Sequence, residues 1–374
     1  MNNIKLVATT TFGLEAVVKR ELISLGFEID QVENGKVTFI SDIQGIAKAN
    51  LWLRSAERVL VKIGEFRALT FDELFDKVSN LPWEDWIKVN GSFPVNGKSV
   101  KSKLFSISDC QRITKKAIAS RLESVYNSKL AEDGPLYTIE VSILKDVATL
   151  TIDTSGVGLH KRGYRKIDVE APIKETLAAA LIQLSFWNKD RILYDSFCGS
   201  GTIPIEAAMI ARNIAPGINR QFASEEWFDI YKAERKLARS KITTPKLNIY
   251  ASDINEKAVE SAKLNAKQAG VFDDINFSTD DFLNIEYKDY GVIISNPPYG
   301  ERLKGKSIYD IKDLYRNMGK LFNQLETVSK YIITSFEGFE NLYEKKADRV
   351  RKLYNGRIKV RFYQYYGPKP KKDE

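Results

Sequence analysis

Residues 194–208 read YDSFCGSGTIPIEAA, and the reading of this stretch decides the fold. The apolar run RILYDSF predicts a buried strand that ends at Asp195. Gly199 and Gly201 then form a turn, and a helix starts near Thr202. Glycines let backbone pass close beneath a bound ligand, and a helix N-terminus presents free N–H groups to it. Neither common nucleotide loop is present. The lysine of GxxxxGK[ST] does not follow, and the third glycine of GxGxxG is missing. Taken alone, the turn reads either as a nucleoside-type site or as a structural strand-to-helix turn.

Downstream the same rhythm continues. TIPIEAAMIARNI, KLNIYASDI, EKAVESAKLNAKQAG, INFSTDDFL and YGVIISNPPYG alternate helix and strand. Such alternation predicts an α/β fold with a mostly parallel sheet covered by helices on both faces. RKLYNGRIKVRFYQYY follows, with Asn355–Gly356 between strand-like runs, which predicts a C-terminal antiparallel hairpin. In open sheets of this class ligands sit beyond the carboxyl ends of the strands. Asp253 ends the second strand, where a carboxylate can accept both hydroxyls of a ribose; capping the next helix is the competing role and suits Asn255 better. Asp281 follows the third strand and can accept from an adenine amino group, with Phe282 against the ring or in the core. The fourth strand leaves through Asn296, Pro297, Pro298 and Tyr299. Proline donates no backbone hydrogen bond and fixes its own φ, so this is a rigid and costly way out of a sheet.

Upstream, NIKLVATTT, GLEAVVKRELISLGF, KVTFI, IQGIAKANLWL and RVLVKIGEF read as a β-α-β-α-β unit over residues 1–65. TFDELFDKVSNLPWEDWI reads as one helix, GSFPVNGKSVKS as turns and a strand, and SISDCQRITKKAIASRLESVY as a long amphipathic helix. YTIEVSILKDVATLTIDTSG reads as a hairpin around Lys145–Asp146. Lys98, Lys101, Lys103, Arg112, Lys115, Lys116, Arg121 and Lys129 fall in this region with few acids between, a surface able to follow a phosphate backbone. The Gly- and Arg-rich GVGLHKRGYRKID marks the boundary to the α/β part.

The 374 residues carry a net charge of +8, which favours an anionic partner, nucleic acid first. Two distant cysteines and a single histidine argue against a disulfide framework, a zinc site or a Ser-His-Asp triad, so no metal is expected. Charges interrupt the apolar N-terminal stretch and no run approaches a bilayer span, so a cytoplasmic protein with no membrane partner is expected.

The four strand ends together resemble a class I S-adenosylmethionine-dependent methyltransferase of the amino-methylating type, with a Rossmann-like sheet. DSFCGSGT resembles its first motif, including Asp195, Gly199, Gly201 and Thr202; Asp253 resembles its ribose acid, Asp281 its adenine-side acid, and NPPY its catalytic tetrapeptide. APIKETLAAALI (171–182) resembles the motif beside the methionine end of the cofactor, with Lys174, Glu175 and Thr176 as its polar residues. LHKRGYR and DSFCGSGTIPIEAAMIARNIAPG extend the resemblance to THUMP-domain RNA methyltransferases, and look like ribosomal large-subunit methyltransferase L and its shorter relatives. Ser196 stands where those relatives usually have proline, and the activity of the second methyltransferase half of the longer relatives is not expected of these residues. The resemblance implies a ferredoxin-like domain at 1–65, a THUMP domain at 66–158 and the methyltransferase domain at 165–374. It implies a guanine 2-amino group of 23S rRNA as target; tRNA guanine and adenine-N6 of RNA or DNA are the rivals. Lys101, Lys103, Arg112, Lys115, Lys116, Arg162 and Arg165 are the expected RNA contacts.

The tetrapeptide then has a chemical task. An exocyclic amine is a poor nucleophile because its lone pair is delocalised into the ring. The Asn296 side-chain oxygen and the Pro297 carbonyl can each accept one amino hydrogen and draw that lone pair out of conjugation, while Tyr299 stacks on a base taken out of its helix.

Overall fold

The computed structural model describes residues 3–165, 172–299 and 308–369. Ala171, Gly300, residues 166–168 of the expected linker and the tail from Pro370 lie outside the described residues. The N-terminal part runs β1 (Ile4–Thr10), α1 (Glu15–Ser24), β2 (Glu28–Glu33), β3 (Lys36–Ser41), α2 (Ile43–Trp52) and β4 (Ala56–Arg67). This is βαββαβ, one strand more than the sequence suggested. β2 escapes periodicity because it is an exposed edge strand, EIDQVE, with Ile29 and Val32 as its only apolar residues.

Next come α3 (Phe71–Ser79), β5 (Val95–Val100), α4 (Ile107–Tyr126), β6 (Ile139–Leu144) and β7 (Val147–Asp153). The expected single helix over 70–87 stops at Ser79, because Pro82 follows and only a short 3-10 turn at Trp83–Asp85 continues it. The hairpin joins at Lys145–Asp146, both at positive φ (51° and 66°), as a tight primed turn demands. All seven strands form one sheet in the order β2-β3-β1-β4-β7-β6-β5. β4 pairs with β1 along one edge and β7 along the other, so the expected boundary at 65/66 falls inside a strand shared by both units.

The second sheet takes β8 (Leu193–Asp195), β9 (Ile249–Asp253), β10 (Ile275–Thr279), β11 (Val292–Ser295), β12 (Ser329–Thr334), β13 (Arg349–Asn355) and β14 (Ile358–Tyr365). Its order is β10-β9-β8-β11-β12-β14-β13; the first five strands are parallel and the last two close it antiparallel. Helices α5 (Glu175–Leu184), α6 (Thr202–Ala211), α7 (Tyr231–Ser240), α8 (Glu256–Ala269), α9 (Ile308–Phe322) and α10 (Phe339–Tyr343) connect and flank the strands. Strands such as VIIS of β11 and SKYIIT of β12 are buried along their whole length, the signature of a sheet covered on both faces. The hairpin turn sits one residue later than expected: Asn355 pairs with Ile358, leaving Gly356 (φ 64°) and Arg357 at the bend.

Buried polar groups tie the two sheets together. Asn50 of α2 donates to Thr154 Oγ1 (2.9 Å) and Tyr231 Oη (3.0 Å) and accepts from Ser155 Oγ (2.6 Å). Trp227 stacks on Tyr137 at 4.6 Å between ring centroids and donates to the Leu136 carbonyl. Arg162, expected on an RNA-facing surface, is 3% exposed and belongs to this interior. Its guanidinium lies 3.3 Å from Glu206 Oε1, donates to the Leu159 carbonyl at 2.7 Å and bonds the Arg54 carbonyl. Tyr164 donates to the same Glu206 oxygen. The sequence marked the charge but not the carboxylate waiting for it inside α6.

Removing one member of a buried pair strands the other, at a cost of about 3–5 kcal/mol. Arg162→Met is therefore expected to lower unfolding free energy in urea by about that amount, because Glu206 stays buried. Unchanged stability would contradict the interior placement.

Candidate active site

The strand order of the second sheet reverses between β8 and β11, with β9 and β10 on one side and β12 on the other. A crevice opens at the carboxyl ends of strands at such a reversal. A cavity of about 970 Å³ lies there, and Asp195, Gly199, Asp253, Asp281, Phe282 and Asn296 all line it. Residues far apart in sequence meet because four parallel strands end at the same level.

The loop after β8 is built around two glycines with different work. Gly199 has φ +52°, and a Cβ there would meet nothing within 4 Å, so its missing side chain leaves cavity open. Gly201 has φ +81°, and its Cβ would sit 2.9 Å from that of Ala262; it lets α6 close on α8. The Gly199 N–H donates to Asp253 Oδ2 at 3.0 Å, and Asp253 Oδ1 accepts from Asn255 N–H at 2.9 Å. The carboxylate of β9 is thereby oriented by the loop of β8. Asn255 caps α8 through Lys257 N–H.

Thr202 heads α6 but is 3% exposed, and its hydroxyl accepts from Arg165 at 2.8 Å. Asp281 caps a short 3-10 turn by accepting from Leu283 N–H at 3.0 Å. Phe282 is both wall and core, with Phe197, which also lines the cavity, at 5.2 Å and the buried Phe322 at 5.8 Å.

Asp195 is 1% exposed. Burial pushes its carboxyl up to about 8; the charge of Asp253 adds to this, and bonds from Phe197 N–H and Ser295 offset only part of it. Ser196, where proline was the usual residue, shares a 2.7 Å hydrogen bond with Tyr287 Oη.

Beyond β11 the chain runs Asn296-Pro297-Pro298-Tyr299 along the cavity wall. Asn296 Oδ1 is buried and has no hydrogen-bond partner among the described residues. An orphaned acceptor of this kind carries a desolvation cost of about 1–3 kcal/mol. The prolines give the segment no N–H to anchor it, and the anchor comes from elsewhere. Tyr315 of α9, fully buried, donates to the Pro298 carbonyl at 2.9 Å. Its hydroxyl is 2.8 Å from Thr334 Oγ1, which in turn accepts from Phe336 N–H at 3.0 Å. These bonds polarise one another in a dry interior. Nothing in the sequence near the tetrapeptide pointed to Tyr315 or Thr334. The carbonyl that is held belongs to Pro298, one residue after the expected acceptor, Pro297. Tyr299 lines the cavity yet is 3% exposed, so its ring is packed into protein rather than presented as an open stacking face.

Several expected residues lie elsewhere. Thr176 does not line the cavity; it is 1% exposed, and its hydroxyl donates to Glu57 at 2.8 Å. Lys174 (3.0 Å) and His160 (3.3 Å) converge on the same carboxylate, the start of β4. Burial opposes ionisation of Glu57, yet His160, Lys174 and Thr176 together hold its carboxyl at about 2. Arg165 is bound to Glu175 (3.2 Å) and to the Ile173 carbonyl (3.1 Å), which removes it from the expected RNA surface. On α4, Arg112 pairs with Asp109 and Lys115 with Glu132, both at 2.8 Å, and Lys116 sits 5.8 Å from the Phe75 ring centre. Lys101 and Lys103 are exposed, next to Phe105, which is 81% exposed.

Residues 162–364 match the RMKL-like methyltransferase domain, residues 5–60 the RlmL ferredoxin-like domain and residues 68–153 the THUMP domain. A Bacillus subtilis protein named as an RNA methyltransferase, YpsC, is 49% identical over the whole of both chains. The ribosomal RNA large subunit methyltransferase K/L of Psychromonas ingrahamii is 36% identical over 84% of this chain, which spans 43% of that longer protein. A crystal structure described as the methyltransferase SMU.472 complexed with SAH superposes with a TM-score of 0.92 at 46% identity, covering 99% of this chain and 100% of that one.

The buried acid makes a pH-dependent prediction. An unfolded aspartate ionises near pH 4 and the folded Asp195 at about 8, so between these values the folded state holds a proton that the unfolded state releases. Its contribution to stability therefore falls as pH rises through that window. Asp195→Asn is expected to raise Tm at pH 8 and to leave it nearly unchanged at pH 4, by calorimetry. A Tm difference independent of pH would contradict the assignment.

Proposed function

The chain belongs to the RMKL-like methyltransferase family, and from that premise we propose that it methylates the 2-amino group of a guanine in 23S rRNA. It is an S-adenosylmethionine-dependent RNA methyltransferase that joins RlmL ferredoxin-like and THUMP domains to a catalytic domain. In the proposed division of labour residues 1–65 and 66–158 engage structured RNA and residues 165–374 carry the chemistry.

The cavity suits the cofactor. Asp253 lies where it would take the ribose hydroxyls, and Gly199 leaves space beside it. Asp281 and Phe282 would hold the adenine, with Gly201 and Thr202 shaping the loop and helix start beneath it. The buried Asp195 would lose its proton as the cationic methionine end arrives. The cofactor supplies an electrophilic methyl group on a sulfonium. The chain's own task is to position and polarise the amine. Asn296 Oδ1 and the Pro297 carbonyl accept the two amino hydrogens, Pro298 is held through Tyr315, and Tyr299 would have to turn out of its packed position to meet the base.

The single observation that carries this reading is Asn296 on the wall of the cofactor-sized cavity, its buried Oδ1 without a partner among the described residues. Native interiors rarely leave such an atom unpaired, and an amine donor from a substrate completes it. The guanine target and 23S rRNA rest on the resemblance of the LHKRGYR and DSFCGSGT runs to large-subunit enzymes.

Asn296→Ala is expected to lower methyl transfer about a hundredfold or more while cofactor affinity by calorimetry stays within about twofold. A variant that keeps its activity would remove the mechanism. Labelled cofactor offered with separate pools of rRNA, tRNA and DNA is expected to mark 23S rRNA, with the label recovered as N2-methylguanosine. Label confined to tRNA or DNA, or recovered on adenine, would overturn the substrate assignment.

A further inference from the structure

The cations expected to meet RNA on α4 are largely neutralised by neighbouring carboxylates, as described above. The C-terminal hairpin shows the opposite. β13, β14 and the bend between them carry Arg349, Arg351, Lys352, Arg357, Lys359 and Arg361, with no acid between Arg349 and Tyr365. In the ladder Lys352 stands directly opposite Arg361, and Tyr354 opposite Lys359. Like charges facing each other across a strand pair are destabilising. Among the described residues the carboxylate paired with this face is Glu337, 3.9 Å from Arg361 and 87% exposed. Arg351, on the other face, is held below the usual guanidinium range by burial and then by Arg349 and Arg20. Among the described residues Glu337 is the one carboxylate paired here, and most of this positive charge is left unbalanced.

Aromatic surface lies beside this charge. Phe12, 51% exposed on the loop before α1, meets Tyr354 edge-on with ring centres 6.5 Å apart. The contact is close along the backbone as well: a Cβ on Gly13 would lie 2.9 Å from the Lys352 carbonyl oxygen. The hairpin tip also lies at the functional end of the sheet. β14 runs antiparallel to β12, so Arg361 pairs with Thr334 at the carboxyl end of β12, beside the Tyr315 anchor. Asn355 Oδ1 accepts from Lys174 N–H at 3.3 Å, and Pro172 and Ile173 just before it line the cavity.

We infer that the β13–β14 tip and Phe12 form a platform for single-stranded RNA that flanks the target base. Lys352, Lys359 and Arg361 neutralise phosphates, and Tyr354 and Phe12 stack against bases, the combination used by proteins that track unpaired strands. Single strand is favoured over duplex because the aromatic faces need unstacked bases. The inference rests on the RNA methyltransferase reading but not on which RNA or which amine is modified.

Fluorescence anisotropy with a labelled single-stranded RNA of about twelve nucleotides reads binding without methyl transfer. The paired variant Lys352→Gln/Lys359→Gln is expected to weaken binding about tenfold at low salt and to reduce the salt slope by about 1.4. Phe12→Ala/Tyr354→Ala is expected to weaken it by a similar factor with the salt slope unchanged. Affinity for SAH stays the same in both, which separates lost contact from lost fold. Lys352→Glu, which places a carboxylate opposite Arg361, is expected to raise Tm while weakening RNA binding. Unchanged RNA affinity in the two paired variants, or a duplex of the same length bound as tightly as the single strand, would overturn the inference. Loss of binding in these variants with no methylation of any RNA pool would retain the platform and remove the substrate assignment instead.

Discussion

The hydroxyl of Tyr315 is the constraint on which the site depends. Two consecutive prolines leave β11 with no N–H to offer a ladder, so the segment that must be most rigid has the fewest means of being held. A chain of hydrogen bonds from Phe336 N–H through Thr334 and Tyr315 to the Pro298 carbonyl supplies what the backbone lacks. Its members come from α9, the end of β12 and the residue pair beyond it. The tetrapeptide is therefore fixed by the same strands and helix that close the sheet, and Asn296, whose buried Oδ1 has no partner among the described residues, stands on the cavity wall.

The rest of the site follows from one topological fact. Parallel strands on either side of a reversal in order bring their carboxyl ends to one crevice, and each strand leaves a different group there. Asp253 is oriented by a backbone N–H of the neighbouring loop, and Asp195 is buried beneath it at a cost to stability. Groups retained in spite of such costs mark where function outweighs folding. The like-charged pair Lys352 and Arg361 reads the same way.

Much of this was legible in the sequence. Strand-helix alternation gave the sheet, glycines and acids gave the ends of its strands, and NPPY gave a stretch that lines the cavity. What escaped was what sequence separation hides. β2 has too few apolar residues for a pattern, and α3 ends early because Pro82 follows closely. Arg162 and Arg165 are cations whose carboxylate partners, Glu206 and Glu175, sit on helices that only folding brings near. Thr176 belongs to the Glu57 contact between the two sheets' domains rather than to the cavity. Arg112 and Lys115 on α4 look available until Asp109 and Glu132 are placed beside them. Tyr315 lies sixteen residues beyond Tyr299 in an ordinary amphipathic helix, with nothing local to single it out.

On the proposed mechanism, positioning by Tyr315, not cofactor binding, sets the rate at which the amine accepts its methyl group. Single-turnover methyl transfer by Tyr315→Phe, with enzyme and cofactor saturating, measures this most directly. The expected result is a rate lowered about ten- to a hundredfold with the Kd for S-adenosylmethionine unchanged. A rate equal to that of the parent enzyme would contradict it.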